Sequence, residues 1–180
     1  MCRFQSRDMV GFLLTVLPFA VTAIAGTIRA GLGWYLLLWL AYSLSFFFVW
    51  EARVLCSHCP FWAEEGRILH CHANGGVFKI WKYRAGPMSR SEQAQFIVGA
   101  LVWIAIPFAF LLLGREFLLA GIGLVTVVSG VHGLRHGACG RCINFSCPMN
   151  NVPKPLVDGY LQRNPQMRQA WEDSGYRLDQ

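Results

Sequence analysis

Charge is what this sequence has least of. Only 14% of its 180 residues are charged, and just 10 of them are acidic. Four stretches contain no Asp, Glu, Lys or Arg: Met9–Ile28, Gly31–Trp50, Ala94–Leu113 and Phe117–Leu134, each 18–20 residues long. A hydrocarbon core of about 30 Å is crossed by about 20 helical residues. The helices of a soluble bundle need a polar face, and none of these stretches has one. A soluble bundle is therefore excluded, and lipid admits these segments only as helices that satisfy their own backbone groups. The same scarcity sets other functions aside. Transporters and channels place ionisable groups inside their spans, whereas His132 is the sole one here. One histidine cannot supply a bis-imidazole haem, which removes a haem-dependent quinol oxidase.

What is abundant is apolar: 54% of residues are hydrophobic. The composition predicts an all-α membrane protein with four transmembrane helices arranged as two tandem hairpins. Each hairpin is followed by a cytoplasmic cysteine-rich segment. The divisions are a first hairpin at 1–50, a Cys/His loop at 51–93, a second hairpin at 94–134, and a Cys-rich segment with a short helical tail at 135–180. Arg3, Arg7 and Ala23-Ile24-Ala25 also carry features of a cleaved signal peptide. Met9–Ile28 is nonetheless read as a retained first span.

The basic residues set the expected orientation. Arg29 and Arg115 lie in the short turns after spans one and three, and the other fourteen of sixteen Lys and Arg lie in the N-terminus, the 51–93 loop or the tail. By the positive-inside rule both termini and both cysteine clusters are expected in the cytoplasm. This asymmetry, with attraction to anionic headgroups, accounts for the net charge of +6, so nucleic acid is not an expected partner. Trp34, Tyr35, Trp50 and Trp103 are read as interfacial anchors, and Trp39 as packing.

The halves echo one another. Leu17-Pro18-Phe19-Ala20 in span one matches Ile106-Pro107-Phe108-Ala109 in span three, and each hairpin is followed by a Cys-x-x-Cys. A duplicated hairpin crossing the membrane twice would be a parallel repeat, with its two Cys-x-x-Cys turns emerging side by side.

Chemistry concentrates in those clusters. The first reads Cys56-Ser57-His58-Cys59-Pro60, then His70-Cys71-His72; the second reads His136-Gly137-Ala138-Cys139-Gly140-Arg141-Cys142, then Cys147-Pro148. A Cys-x-x-Cys turn puts two thiolates on one side of a tight loop, and a tetrahedral metal needs two further sulfur or nitrogen ligands. Cellular reductants argue against disulfides in the cytoplasm. The predicted metal ligands are Cys56, Cys59, Cys71 and His72 (or His58, His70) in one set and His136, Cys139, Cys142 and Cys147 in the other. The alternative is a single all-thiolate site built by both Cys-x-x-Cys turns. Zinc is favoured. An iron–sulfur cluster would accept four of these thiolates, and Cys59-Pro60 and Cys147-Pro148 match the Cys-Pro that closes bacterial ferredoxin motifs, but the closely spaced four-cysteine run is absent.

These features predict a metal-binding accessory subunit of a membrane complex, in contact with the bilayer and with a protein partner or further copies of itself. An electron-transfer subunit carrying an iron–sulfur cluster is the second reading. A thiol enzyme using Cys71 beside His70 and His72 is the third. In architecture and in its paired Cys-Pro motifs the chain resembles the membrane anchors of nitrate- and nitrous-oxide-reductase electron-transfer systems, although the motif spacing differs. In topology alone it is similar to protein palmitoyltransferases, whose Asp-His-His-Cys motif is missing.

Elsewhere, Ser89-Arg90-Ser91-Glu92 predicts a capping box at the start of the third helix. Phe78, Ile80, Trp81 and Tyr83, interleaved with Lys79, Lys82 and Arg84, predict a strip on the headgroups or a docking surface. Gly121, Gly123, Gly130 and Gly133 predict close helix packing. Pro155 and Pro165 predict two short tail helices, with Trp171 as their anchor.

Overall fold

The computed structural model of the chain describes residues 6–71, 73 and 75–179. Arg3 and His72, both used above, lie outside them. The described residues are helical apart from turns, loops and one isolated antiparallel bridge between Ile68 and Phe78. Helix α1 covers Ser6–Arg29. A tight turn at Gly33–Tyr35 leads into α2 (Leu36–Ser45), a π-helical turn (Phe46–Trp50) and α3 (Glu51–Val54). The short α4 (Pro60–Ala63) precedes the long helices α5 (Arg90–Leu113) and α6 (Phe117–His136). Two tail helices, α7 (Lys154–Gln162) and α8 (Pro165–Asp173), complete the chain.

Four helical runs are long and apolar enough to cross a membrane: Met9–Arg29, Gly33–His58, Arg90–Leu113 and Phe117–Arg141. Only 22% of the first window and 11% of each of the others is buried inside the protein. Their outward faces carry side chains such as Leu14, Leu113, Leu118 and Val125, each more than 60% exposed. Such faces belong in lipid, not in water. The second run continues well past Trp50, where the apolar stretch ends. Glu51 and Arg53 limit how deep the helix can sit but do not stop it being a helix.

Helix α1 packs most extensively on α6 and also on α5, and α2 packs on α5, so segments from the two halves interleave. The contact is aromatic. Phe19 and Phe108, which follow the two prolines, stack at 5.9 Å, and Trp39 stacks on Trp103 at 5.4 Å. Trp39 Nε1 donates to the Trp103 carbonyl at 2.9 Å and Trp103 Nε1 to Ser43 Oγ at 2.8 Å. Buried indoles need such partners. Trp39 packs as expected, but Trp103 is not an interfacial anchor: its N–H finds a hydroxyl inside the bundle. Trp34, 84% exposed at the opposite end of span two, fits the anchor role.

The glycines that permit close approach are mostly not the four expected. A Cβ on Gly26 would lie 2.0 Å from Leu111, and one on Gly99 would lie 2.0 Å from the Phe46 ring. Gly123 and Gly130 face Phe108 and Thr15, whereas Gly121 and Gly133 face open space.

The two helix-linking turns are built alike and meet at one end of the bundle. Gly31 N–H bonds to Ile28 O and Leu32 N–H to Thr27 O, while Arg115 N–H bonds to Leu112 O and Glu116 N–H to Leu111 O. Each is a Schellman closure, which needs a left-handed residue just past the helix. Gly31 takes φ +74° at no steric penalty, but Arg115 takes φ +58° with a side chain. Arg29 Nε reaches Glu116 Oε1 at 3.2 Å between the turns. The proline echo is not in register with them, because Pro18 stands thirteen residues before Gly31 and Pro107 only eight before Arg115. Arg115→Gly should therefore raise stability by about 0.5–1 kcal/mol, read as a higher unfolding temperature in detergent. An unchanged or lower temperature would show that the Arg115 side chain compensates for its backbone.

Candidate metal centre

Both Cys-x-x-Cys motifs fold into the same local object. Cys56–His58 and Cys139–Arg141 each form a single 3₁₀ turn. In the first, His58 N–H bonds to Leu55 O at 3.2 Å and Cys59 N–H to Cys56 O at 2.9 Å; in the second, Arg141 N–H bonds to Ala138 O at 3.2 Å and Cys142 N–H to Cys139 O at 3.4 Å. The closing cysteine then leaves in extended conformation, ψ 135° at Cys59 and 132° at Cys142. That exit exposes its sulfur to the backbone two residues on. The backbone N–H groups of Phe61 and Asn144 favour the thiolate forms of Cys59 and Cys142. Cys147 repeats the arrangement with Met149 and adds Asn150.

The third cysteine of the first cluster arrives on a hairpin. Leu69 N–H bonds to Val77 O, Gly76 N–H to Leu69 O and Lys79 N–H to Arg67 O, all at 2.8–2.9 Å. Leu69 and Val77 point inward and are 1% exposed, which brings the neighbouring Cys71 against the same core. That core contains Cys56, Cys59, Phe61, Trp62 and also Ile143 from the second Cys loop, with Phe145 packed on its edge. Phe145 also touches Trp171 and Tyr160, so α7 and α8 lie against the cysteine loops with Trp171 buried. The tail helices carry Pro155 and Pro165 in their first turns, as expected.

Two asparagines hold the second loop in place. Asn144, 5% exposed, donates Nδ2 to Leu55 O at 3.0 Å, directly bridging the second cluster to the residue before Cys56. Asn150 Nδ2 donates to Cys142 O and Asn144 O at 2.9 and 3.0 Å. The first loop is fixed from its other side by Arg84, which bonds to Ser57, Arg53 O and Glu92. Glu92 closes the expected capping box with Ser89 at the start of α5. Arg84 is thus a structural clamp and not part of a headgroup strip. Of that strip, Phe78 and Ile80 are over 60% exposed while Trp81 and Tyr83 pack inward.

The cysteines of both halves act on one another. Cys59 is influenced by Cys142, Cys71 and Cys147, and Cys142 by Cys71, Cys147 and Cys139. Burial pushes the thiols of Cys59 and Cys142 well above the ordinary range, and these neighbours add to the shift. Burial raises Cys147 to about 12, with Cys139 and Glu51 adding to it and the N–H donors opposing. Among the described residues the thiols are gathered but not closed on a metal-sized point: no three His, Cys, Asp or Glu side chains form a preassembled group.

The histidines go elsewhere. His58 is buried, and its Nδ1 lies 2.7 Å from Gly86 O; since a carbonyl only accepts, Nδ1 carries the proton. Its Nε2 faces Glu92 at 3.5 Å. His70 is exposed, and His136 lies exposed on α6 with its ring 4.4 Å from that of His132. His72 lies outside the described residues. Sequence reasoning missed Asn144 and Asn150, whose side-chain amides are unremarkable until the loop around them is seen. It also missed Glu51, which looked like the first polar residue of a loop.

Raised thiol pKa values have a definite sign. A thiol raised from its ordinary 9.0 to about 12 contributes stability that is complete below pH 9 and lost as pH climbs towards 12. The metal-free protein should therefore unfold progressively more easily between pH 9 and 12, by on the order of a few kcal/mol. A denaturation midpoint that stays level or rises over that window would contradict the burial of these thiols. No protein-family model matches the chain, and no curated protein or solved structure is detectably similar to it.

Proposed function

We propose that this chain is a metal-binding integral membrane protein. Thiols drawn from its two cysteine clusters hold one metal centre between the halves, on the cytoplasmic side by the positive-inside argument. The observation that carries the reading is that Cys59 and Cys71 pack in a core that also takes in Ile143, the residue after Cys142, while Cys71, Cys142 and Cys147 all act on Cys59. Backbone N–H groups favour the thiolate form at three of these sulfurs. The charges acting most strongly on Cys59, Cys142 and Cys147 come from other thiols and one carboxylate, not from Lys or Arg. A pocket rich in potential anions and poor in cations is suited to a bound cation.

Zinc is the favoured ion, since Cys-x-x-Cys pairs make closed tetrahedral sites whose binding energy becomes folding energy. The module would then order the loops and present the exposed Phe78 and Ile80 to a partner, as an accessory subunit of a membrane complex. The convergence of four thiols, with His58 and His136 engaged elsewhere, also supports the iron–sulfur reading, because such clusters take four cysteines. Brown protein with broad visible absorption would identify that case.

The two-site and one-site arrangements separate by stoichiometry. In anaerobically purified protein, Cys56→Ser and Cys139→Ser should each remove all of the metal found by elemental analysis. Retention of half the metal in both variants would establish two independent sites instead, and metal-free wild-type protein would overturn the metal reading.

A further inference from the structure

Glu51 is the buried group that the thiol cluster leaves unexplained. It is 8% exposed, its Oε2 has no hydrogen-bond partner, and it forms no ion pair among the described residues. An unpartnered buried carboxylate costs a fold several kcal/mol. Nor does a helix N-terminus stabilise it: Trp50 before it is helical, at φ −74° and ψ −53°, so the backbone runs through without a free first turn. Directly upstream lies the π-helical turn Phe46–Trp50. One extra residue in a helix rotates everything after it by about 100°, so Glu51 lies on a different face from the one an unbroken α-helix would give it.

The residues just after Glu51 belong to the packing of the second cysteine loop. Glu51 and Leu55 lie one turn apart on one face of the helix. Leu55 packs with Val54 and Met88 in the cluster that Cys147 joins, and its carbonyl receives the Asn144 amide. The charge of Glu51 acts on Cys147. We infer that Glu51 is the oxygen donor of the metal centre, binding the same divalent ion as Cys147; the inference rests on reading the thiol cluster as that centre. A mixed sulfur–oxygen set suits a borderline divalent ion such as zinc, which accepts thiolate and carboxylate alike. It does not suit copper(I) or a cluster held by four thiolates.

The test uses full-length wild type, Glu51→Gln and Glu51→Asp in detergent, each stripped and then titrated with Zn²⁺, with Co²⁺ as an optical reporter of the ligand set. Glu51→Gln should lose about 10–100-fold in Zn²⁺ affinity and shift the visible Co²⁺ bands. Glu51→Asp, which keeps the carboxylate, should bind more tightly than Glu51→Gln. Stripped Glu51→Gln should unfold no earlier than stripped wild type, because glutamine fills the same space without a carboxylate to bury. This opposition, weaker metal binding without a weaker metal-free fold, is what a merely structural role would not produce. Glu51→Gln with wild-type Zn²⁺ affinity and unshifted Co²⁺ bands overturns the assignment. So does a metal-free fold weakened to the same extent in both variants. A wild type that binds neither ion removes the thiol centre itself, and this inference with it.

Discussion

At the centre of the cysteine end, the Asn144 side chain donates to the Leu55 carbonyl at 3.0 Å with almost no exposure to solvent. This hydrogen bond joins residues 89 positions apart in sequence and fixes where the second Cys-x-x-Cys loop sits relative to the first. A buried amide stripped of its partner costs about 1–3 kcal/mol, so the loop has one strongly preferred seat. Ile143 enters the core beside Cys56 and Cys59 because of that seat, and Phe145 then links the same core to α7 and α8. The interleaving of α1 with α6 and of α2 with α5 delivers both loops to one end, while the Arg29–Glu116 turns close the other.

Burial and charge work together there. The spans carry apolar side chains to lipid and leave polar chemistry to their ends, which is where the thiols collect. Buried thiols stay protonated when metal-free, since taking an isolated anion out of water is costly, although Arg135 opposes this at Cys139. Backbone N–H groups beside Cys59, Cys142 and Cys147 offset part of that cost. A divalent ion would supply the missing positive charge and release protons on binding. The aromatic stack of Phe19, Trp39, Trp103 and Phe108 ties the helices together within the bundle, away from the cysteine loops.

Much of the frame is readable from residue order. Charge-free stretches of span length mark the four helices, because lipid tolerates little else, and Ser89 with Glu92 marks a helix start by chemistry alone. Tail prolines do the same for α7 and α8. Where helices touch is less legible: Gly26 and Gly99 are the tight contacts, and no spacing rule separates them from Gly121 and Gly133, which face outward. The cysteine spacing announces two knuckles, but not that their histidines turn away. His58 is captured by Gly86 and His136 lies against His132 with the rings tilted, outcomes set by distant backbone and by helix phase. Glu51 escaped notice because the helix face it lies on depends on a π-helical turn made of Phe46-Phe47-Phe48-Val49-Trp50, whose residues all suit an ordinary helix.

The account stands on thiols from both halves sharing one ion. X-ray absorption at the metal edge of anaerobically purified protein measures this most directly. A zinc centre of the kind described gives a first shell dominated by sulfur at about 2.3 Å, and that shell disappears when Cys59 and Cys142 are both replaced by serine. A first shell of nitrogen and oxygen alone, or an unchanged sulfur shell in the doubly substituted protein, would contradict it.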